Sequence, residues 1–204
     1  MPPADDQYPP LNDRKIVKVL AKHGVEYIVV GGVGTRFHGA TCETQDCDVV
    51  IKIANDNIKR LIAALDELDG RIRAENMSDY EARQFSRNKE ELLIGNDVTP
   101  WRTSAGDMDI LAFIPDQYGD PRYYADLKQN ADRQTAESVQ IWVAGLDDII
   151  ASKRYANRPK DLKVLPELYR LQSQVTKHPE KKRIRPSRAP DVSYELDNSP
   201  GHDL

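Results

Sequence analysis

Cysteine and long apolar stretches are scarce in this sequence of 204 residues. The two cysteines, Cys42 and Cys47, lie five positions apart on one short segment, which predicts no structural disulfide and an apolar packing role for Cys47. No apolar run approaches the roughly 18 residues that a membrane-spanning helix needs. Residues 1–6 have neither the basic flank nor the apolar stretch of a secretory signal. We therefore predict a cytoplasmic protein with no membrane segment.

Positive charge is also lacking when the whole chain is counted, because the net charge is −4. This balance excludes a uniformly basic nucleic-acid-binding protein. The charge is unevenly distributed, however, since residues 151–188 hold 12 Lys or Arg against 3 Asp or Glu, a local balance of +9. Such an asymmetry favours an anionic partner at the C-terminal end. From Lys177 onward, a solvated and disordered tail explains the charges equally well.

The spacing of apolar residues predicts an α/β protein. Helical spacing predicts helices at residues 11–23, 33–38, 56–68, 146–156 and 160–171, the last two separated at Pro159. Short apolar or alternating runs predict strands at residues 27–30, 46–53, 92–94, 108–114 and 139–143. The predicted organisation is a flexible N-terminus (1–10), a core of mixed sheet flanked by helices (11–145), a small helical part (146–175) and a disordered basic and polar tail (176–204).

The most informative pattern lies in the first third of the chain. An apolar strand is followed at once by Gly31 and Gly32, and the next strand begins with Asp46 and Asp48. Residues at i and i+2 on a strand point to the same face, so both carboxylates can bind a shared cation. Their hard oxygen donors suit Mg²⁺, which also binds substrate phosphates. The glycines lack a Cβ and let the backbone approach a phosphate chain closely.

A third carboxylate is predicted farther along the chain. Asp109 lies inside the apolar run 108–111 and is preferred, whereas Asp107, which shares its strand face, is the alternative. The strand, the glycines, the Asp-x-Asp pair and this later aspartate together resemble the signature of the polymerase-β-like nucleotidyltransferase superfamily. The resemblance implies a nucleotidyltransferase fold in which Asp46, Asp48 and Asp109 bind Mg²⁺, or Mn²⁺, beside a nucleoside triphosphate.

A second pattern combines Thr44, two residues before the first aspartate, with Lys153 on a predicted helix and Asp161 at the start of the next one. It resembles the minimal nucleotidyltransferase toxins of the AbiEii and MenT type, in which a helical lysine and a downstream aspartate are essential. The resemblance implies that Lys153 binds the triphosphate together with Gly31 and Gly32. It also implies that Asp161 is a catalytic or orienting carboxylate. Thr44 would lie at the nucleotide, in the place of a hydroxyl that can be phosphorylated in those toxins.

Each of these three residues also has a plain structural interpretation. Lys153 fits a solvated lysine on the outer side of an amphipathic helix. Asp161 fits an acidic residue in the first turn of a helix, where the helix dipole favours negative charge. Thr44 fits a β-branched residue leading into a strand.

The function that both resemblances imply is transfer of a nucleoside monophosphate from a triphosphate to an acceptor hydroxyl. The implied acceptor is the 3′ end of tRNA, which makes the protein a translation-inhibiting toxin with a cognate antitoxin. Within enzymes, the alternatives are transfer to protein side chains or to a small molecule such as an antibiotic. An inactive binding module is the alternative of another class. The basic stretch argues against a cationic small molecule, and the presence of Asp46 and Asp48 argues against the inactive module.

Overall fold

The structure is a computed structural model that describes residues 9–74 and 76–177, with side chains described as far as Gln174. The helices of the described part are α1 (Asp13–Lys22), α2 (Gly31–Phe37), α3 (Asn55–Glu67), α4 (Asp79–Phe85), α5 (Lys89–Gly95), α6 (Tyr124–Asn130), α7 (Leu146–Ala156) and α8 (Pro159–Lys177). Its strands are β1 (Tyr27–Val29), β2 (Asp46–Ile51), β3 (Arg71–Ile72), β4 (Val98–Thr103), β5 (Gly106–Leu111), β6 (Phe113–Pro115), β7 (Pro121–Tyr123), β8 (Asp132–Ala136) and β9 (Val139–Val143).

Seven of these strands form one mixed sheet in the order β3-β4-β5-β2-β1-β9-β8, and β6 pairs with β7 in a separate hairpin. The pairs β2–β5 and β1–β9 are parallel, whereas the other neighbours in the sheet are antiparallel. The parallel register aligns Asp46 with Asp107 and Asp48 with Asp109. Aspartates from distant parts of the sequence therefore become neighbours in the middle of the sheet.

An apolar core lies on each face of this sheet. Cys47 and Val49 of β2 belong to a buried cluster that also contains residues of α1 and α3. Val50 points the other way, into a cluster with residues of α7 and α8. Burial of each fully buried aliphatic side chain in these clusters stabilises the folded state by roughly 1.5–3 kcal/mol. Because side chains alternate along a strand, Asp46 and Asp48 share the face of Val50, which the C-terminal helices cover.

The predicted fold class, a mixed sheet flanked by helices, is confirmed. The strand predicted at residues 92–94 is wrong, because these residues lie in α5 and the next strand begins at Val98. A run of three apolar residues fits either a buried strand or part of a short helix, so the run alone did not distinguish them. The single strand predicted at residues 108–114 divides into β5 and β6, which belong to different sheets.

The helix break predicted at Pro159 is observed. After α7, Asn157 adopts the left-handed conformation with φ 49° and donates its N–H to the carbonyl of Lys153 at 3.1 Å. Pro159 then begins α8, where its fixed φ is compatible with a first helical turn. This break turns the chain back, so that α8 packs against α7.

The predicted flexible N-terminus lies outside the described residues as far as residue 8, and the predicted disordered tail lies outside them from residue 178 onward. The helix α8 extends to Lys177, two residues into the segment assigned to that tail. Within the described ranges, no helix combines the length and the apolar character that crossing a membrane requires.

Candidate active site

Three carboxylates meet on the sheet face that α7 and α8 cover. One oxygen from each of Asp46, Asp48 and Asp109 lies within 4.8 Å of the other two, and all three residues are half-buried. Asp46 and Asp48 stand two positions apart on β2, and the parallel register places Asp109 of β5 opposite Asp48. The structure thus places Asp109, the preferred candidate, in this group, which we call the carboxylate cluster. Asp107 lies two residues before Asp109 on β5, opposite Asp46.

The protonation behaviour of Asp48 shows how crowded this cluster is. The pKa of Asp48 is raised to about 7, mainly by burial and then by the neighbouring negative charges of Asp46 and Asp109. A backbone hydrogen bond from Gly32 acts in the opposite direction. The carboxylates therefore repel one another, and a bound divalent cation would offset this repulsion. Hard carboxylate oxygens are also the donors that Mg²⁺ and Mn²⁺ prefer. The cluster fits such a cation.

The two glycines make room for this cluster. Gly31 has φ +56°, and a Cβ there would lie 1.9 Å from Oδ2 of Asp48. A Cβ on Gly32 would lie 2.5 Å from the Cβ of Thr44. From the sequence, the missing side chains are expected to let a phosphate chain approach the backbone. The structure shows that they admit the side chains of Asp48 and Thr44, and the phosphate contact stays a prediction.

Thr44 contacts the first carboxylate directly. Its hydroxyl donates to Oδ1 of Asp46 at 3.0 Å and lies 3.1 Å from the main-chain oxygen of the same residue. This contact restricts the rotation of the Asp46 carboxylate. A phosphate on the Thr44 hydroxyl would add a dianion beside the cluster and repel the phosphates of a nucleotide.

Arg73 lies at this site although no pattern in the sequence indicates it. Its guanidinium spans two aspartates of β5, with Nη1 2.7 Å from Oδ2 of Asp107 and Nη2 2.7 Å from Oδ1 of Asp109. Arg102 also donates to Asp107, from Nε at 3.3 Å. Burial raises the pKa of Asp109, and the positive charge of Arg73 opposes that rise. No sequence signal identified Arg73, because it follows a strand of two residues in a segment without a periodic pattern.

Lys153 and Asp161 form a buried ion pair. Nζ of Lys153 lies 3.2 Å from Oδ1 of Asp161, and the exposed fractions of the two residues are 8% and 1%. Arg158 donates from Nε to the second oxygen of Asp161 at 2.6 Å. Burial would raise the pKa of Asp161, but the hydrogen bonds from Arg158 and Lys153 outweigh it and lower the pKa. The structure thus brings the two predicted residues together, and their catalytic roles stay predictions.

Two cations, Arg158 just before α8 and Lys160 in its first turn, interact electrostatically with the carboxylate cluster. The charges of Asp48 and Asp46 contribute to the raised pKa of Arg158, after its hydrogen bond to Asp161. Lys160 in turn lowers the pKa of Asp48. Both side chains are exposed. The two residues flank Pro159 in the sequence, which gave no sign of this interaction with the cluster.

The affinity of the cluster for a divalent cation is expected to fall about tenfold between pH 8 and pH 6. With a pKa of about 7, Asp48 is mostly ionised at pH 8 and mostly protonated at pH 6, and only the ionised form binds a cation. Titration with Mn²⁺, followed by electron paramagnetic resonance at constant ionic strength, measures this change. Asp48→Asn should bind Mn²⁺ more weakly and lose most of the pH dependence. Equal wild-type affinity at both pH values would contradict the expectation.

Comparison with known proteins finds similarity to solved structures at low sequence identity. No protein-family model matches the sequence, and no curated protein matches it. The structure is similar to ANT(2″)-Ia in complex with adenylyl-2″-tobramycin, with 18% identity and a TM-score of 0.46 over 82% of this chain and 88% of that chain. A proposed nucleotidyltransferase from Thermotoga maritima is 14% identical, with a TM-score of 0.44 over 81% of this chain and 91% of that chain. The solution structure of the antibiotic-resistance factor ANT(2″)-Ia is 14% identical, with a TM-score of 0.40 over 83% and 95% of the two chains.

Proposed function

We propose that this protein is a divalent-metal-dependent nucleotidyltransferase. The observation that carries the proposal is the convergence of Asp46, Asp48 and Asp109 from two parallel strands, with an oxygen of each within 4.8 Å of the others. When they are ionised, carboxylates at this separation repel one another, and a divalent cation between them would offset that repulsion. Exposed cations at the start of α8 supply the complementary charge for the phosphates of a nucleotide.

Each residue of the cluster has a defined task in this proposal. Asp46, Asp48 and Asp109 hold Mg²⁺ or Mn²⁺, and Thr44 keeps the carboxylate of Asp46 in one orientation. When bound, the cation supplies charge stabilisation to the phosphates and to the leaving pyrophosphate. In the reaction, the acceptor oxygen forms a bond to the α-phosphorus while the bond from that phosphorus to the bridging β-phosphate oxygen breaks. The hydroxyl proton passes to solvent, and pyrophosphate leaves.

The triphosphate is proposed to lie between the cluster and the N-terminal end of α8. Arg158 is anchored by Asp161 through Nε, and its side chain is 60% exposed, so its guanidinium also reaches solvent. Lys160 is exposed beside it. Lys153, which the resemblance assigns to the triphosphate, is buried and pairs with Asp161 at 3.2 Å, and its ammonium has further N–H donors for a phosphate. The backbone of Gly31 and Gly32 forms the floor of the site in this proposal.

The proposed acceptor is the 3′ end of tRNA, and the proposed role is that of a toxin whose cognate antitoxin restrains it. The support is the basic stretch at residues 151–188, which carries a balance of +9. Of its described members, Arg154, Arg158, Lys160, Lys163 and Arg170 are exposed. A polyanion binds such a surface with steep salt dependence, because each phosphate contact releases counterions. A cationic antibiotic would be repelled by it.

One labelling experiment tests the proposal and separates its alternatives. The purified chain is incubated with each α-³²P-labelled nucleoside triphosphate, Mg²⁺ or Mn²⁺, and either total RNA, total protein or tobramycin. We expect label at the 3′ end of tRNA, with a yield that falls as salt rises. Label on protein or on tobramycin would replace the tRNA assignment by that acceptor class. No label with either metal would overturn the nucleotidyltransferase and favour the inactive binding module.

A further inference from the structure

Arg73 holds a place in the site that the proposed reaction leaves unexplained. Its two terminal nitrogens donate to different aspartates of one strand, both at 2.7 Å. One of them, Asp109, belongs to the carboxylate cluster, and the other, Asp107, does not. The side chains of the two aspartates are 19% and 18% exposed, and that of Arg73 is 29% exposed. These are charged contacts in a poorly hydrated place, where a hydrogen bond between ions is stronger than at an open surface.

The backbone at Arg73 is fixed as firmly as its side chain. Its N–H donates to the carbonyl of Pro100 at 2.8 Å, which continues the ladder between β3 and β4. One residue earlier, the N–H of Ile72 donates to the hydroxyl of Ser86 at 2.7 Å. The guanidinium therefore reaches Asp109 from a backbone held by the sheet on one side and by Ser86 on the other.

The contact with Asp109 restricts that carboxylate while leaving it able to bind a cation. Arg73 engages Oδ1, and the second oxygen, Oδ2, provides further lone pairs for a ligand. Asp107 accepts a hydrogen bond from Nη1 of Arg73 and another from Arg102. It therefore anchors Arg73 and does not belong to the cluster. Residues that orient a metal ligand through its other oxygen commonly change metal affinity by 10- to 100-fold when they are removed.

We infer that Arg73 is a positioning residue for the metal site, which holds Asp109 in its cation-binding orientation, and that Asp107 anchors Arg73 and is not itself a metal ligand. This inference rests on the proposed binding of a divalent cation by the cluster. Arg73 acts through Asp109 and needs no contact with the nucleotide.

Mn²⁺ binding to the full chain without nucleotide tests the inference, with electron paramagnetic resonance as the readout. Arg73→Gln is expected to weaken Mn²⁺ binding about tenfold or more. Arg73→Lys keeps the charge but cannot bridge two carboxylates with a planar fork, so it should recover only part of the loss. The matched control is Arg71→Gln, because Arg71 lies on β3 two residues before Arg73 and pairs with Asp69 at 3.0 Å and with Asp79 at 2.5 Å, outside the cluster. It should leave Mn²⁺ affinity unchanged.

Asp107→Asn is the second variant, and it serves also where Arg73→Gln does not fold. It keeps Arg73 and all three cluster carboxylates, and it should weaken Mn²⁺ binding by less than Arg73→Gln does. Wild-type affinity in Arg73→Gln, or in Asp107→Asn where Arg73→Gln does not fold, would overturn the inference while leaving the metal site intact. Tighter binding in Arg73→Gln would also overturn it, by showing that the guanidinium competes with the cation. Wild-type protein that binds no Mn²⁺ would instead overturn the proposed function.

Discussion

Replacing Asp46 with asparagine is expected to lower the rate of nucleotidyl transfer by about 10³-fold or more. Transfer of a nucleotidyl group depends on positioning and charge stabilisation, so losing one charged ligand removes a contribution that the other groups cannot replace. Asparagine keeps an oxygen that can accept from the Thr44 hydroxyl, which now donates to Asp46 at 3.0 Å. Initial rates with labelled triphosphate, at saturating Mg²⁺, measure the effect.

The fold should survive this change. Asp46 raises the pKa of Asp48 by repulsion, so removing its charge relieves strain between the two carboxylates. We therefore expect a thermal midpoint equal to or above that of the wild type. Asp56→Asn is the control, because Asp56 is an exposed aspartate in the first turn of α3. It should transfer at the wild-type rate, and an Asp46→Asn variant that did the same would refute the site.

Replacing Gly31 with alanine is expected to lower transfer by about 10²-fold and to weaken cation binding. The added methyl group would lie 1.9 Å from Oδ2 of Asp48, so the carboxylate has to leave its place in the cluster. Alanine also resists the left-handed backbone at φ +56°, at a cost of roughly 1–2 kcal/mol. Transfer rates and Mn²⁺ titration on the same sample report both effects.

Gly39→Ala separates the two causes. Gly39 also has positive φ, +89°, but an added Cβ there has no heavy atom within 4 Å. The variant should lose some stability through backbone strain and keep both its transfer rate and its Mn²⁺ affinity. If Gly31→Ala and Gly39→Ala had the same transfer rate and the same Mn²⁺ affinity, the close approach of residue 31 to Asp48 would not matter for function.

Local sequence pattern was sufficient for the part of the site that lies on one strand. Asp46 and Asp48 are two residues apart on β2, so the alternation of side chains alone places them on one face. The helix break at Pro159 could likewise be read from the chain, because proline constrains its own backbone and that of the preceding residue. These features depend on neighbours in sequence.

Features that depend on the packing of distant segments could not be read in the same way. The choice between Asp107 and Asp109 was open because both share a strand face, and only the register of β2 with β5 places Asp109 opposite Asp48. Arg73 gave no signal, since a strand of two residues has no periodicity to detect. The burial of Lys153 at 8% exposure likewise follows from the packing of α7 and α8, which no single helix pattern encodes.

The most direct test of the central claim is the position of a bound cation. Crystals of the full chain grown with Mn²⁺ and a non-hydrolysable nucleoside triphosphate analogue would show it by anomalous scattering. We expect an anomalous peak in coordination contact with carboxylate oxygens of Asp46, Asp48 and Asp109, with the α-phosphate at the same ion. A peak elsewhere in the chain, or none between these three side chains, would contradict the account.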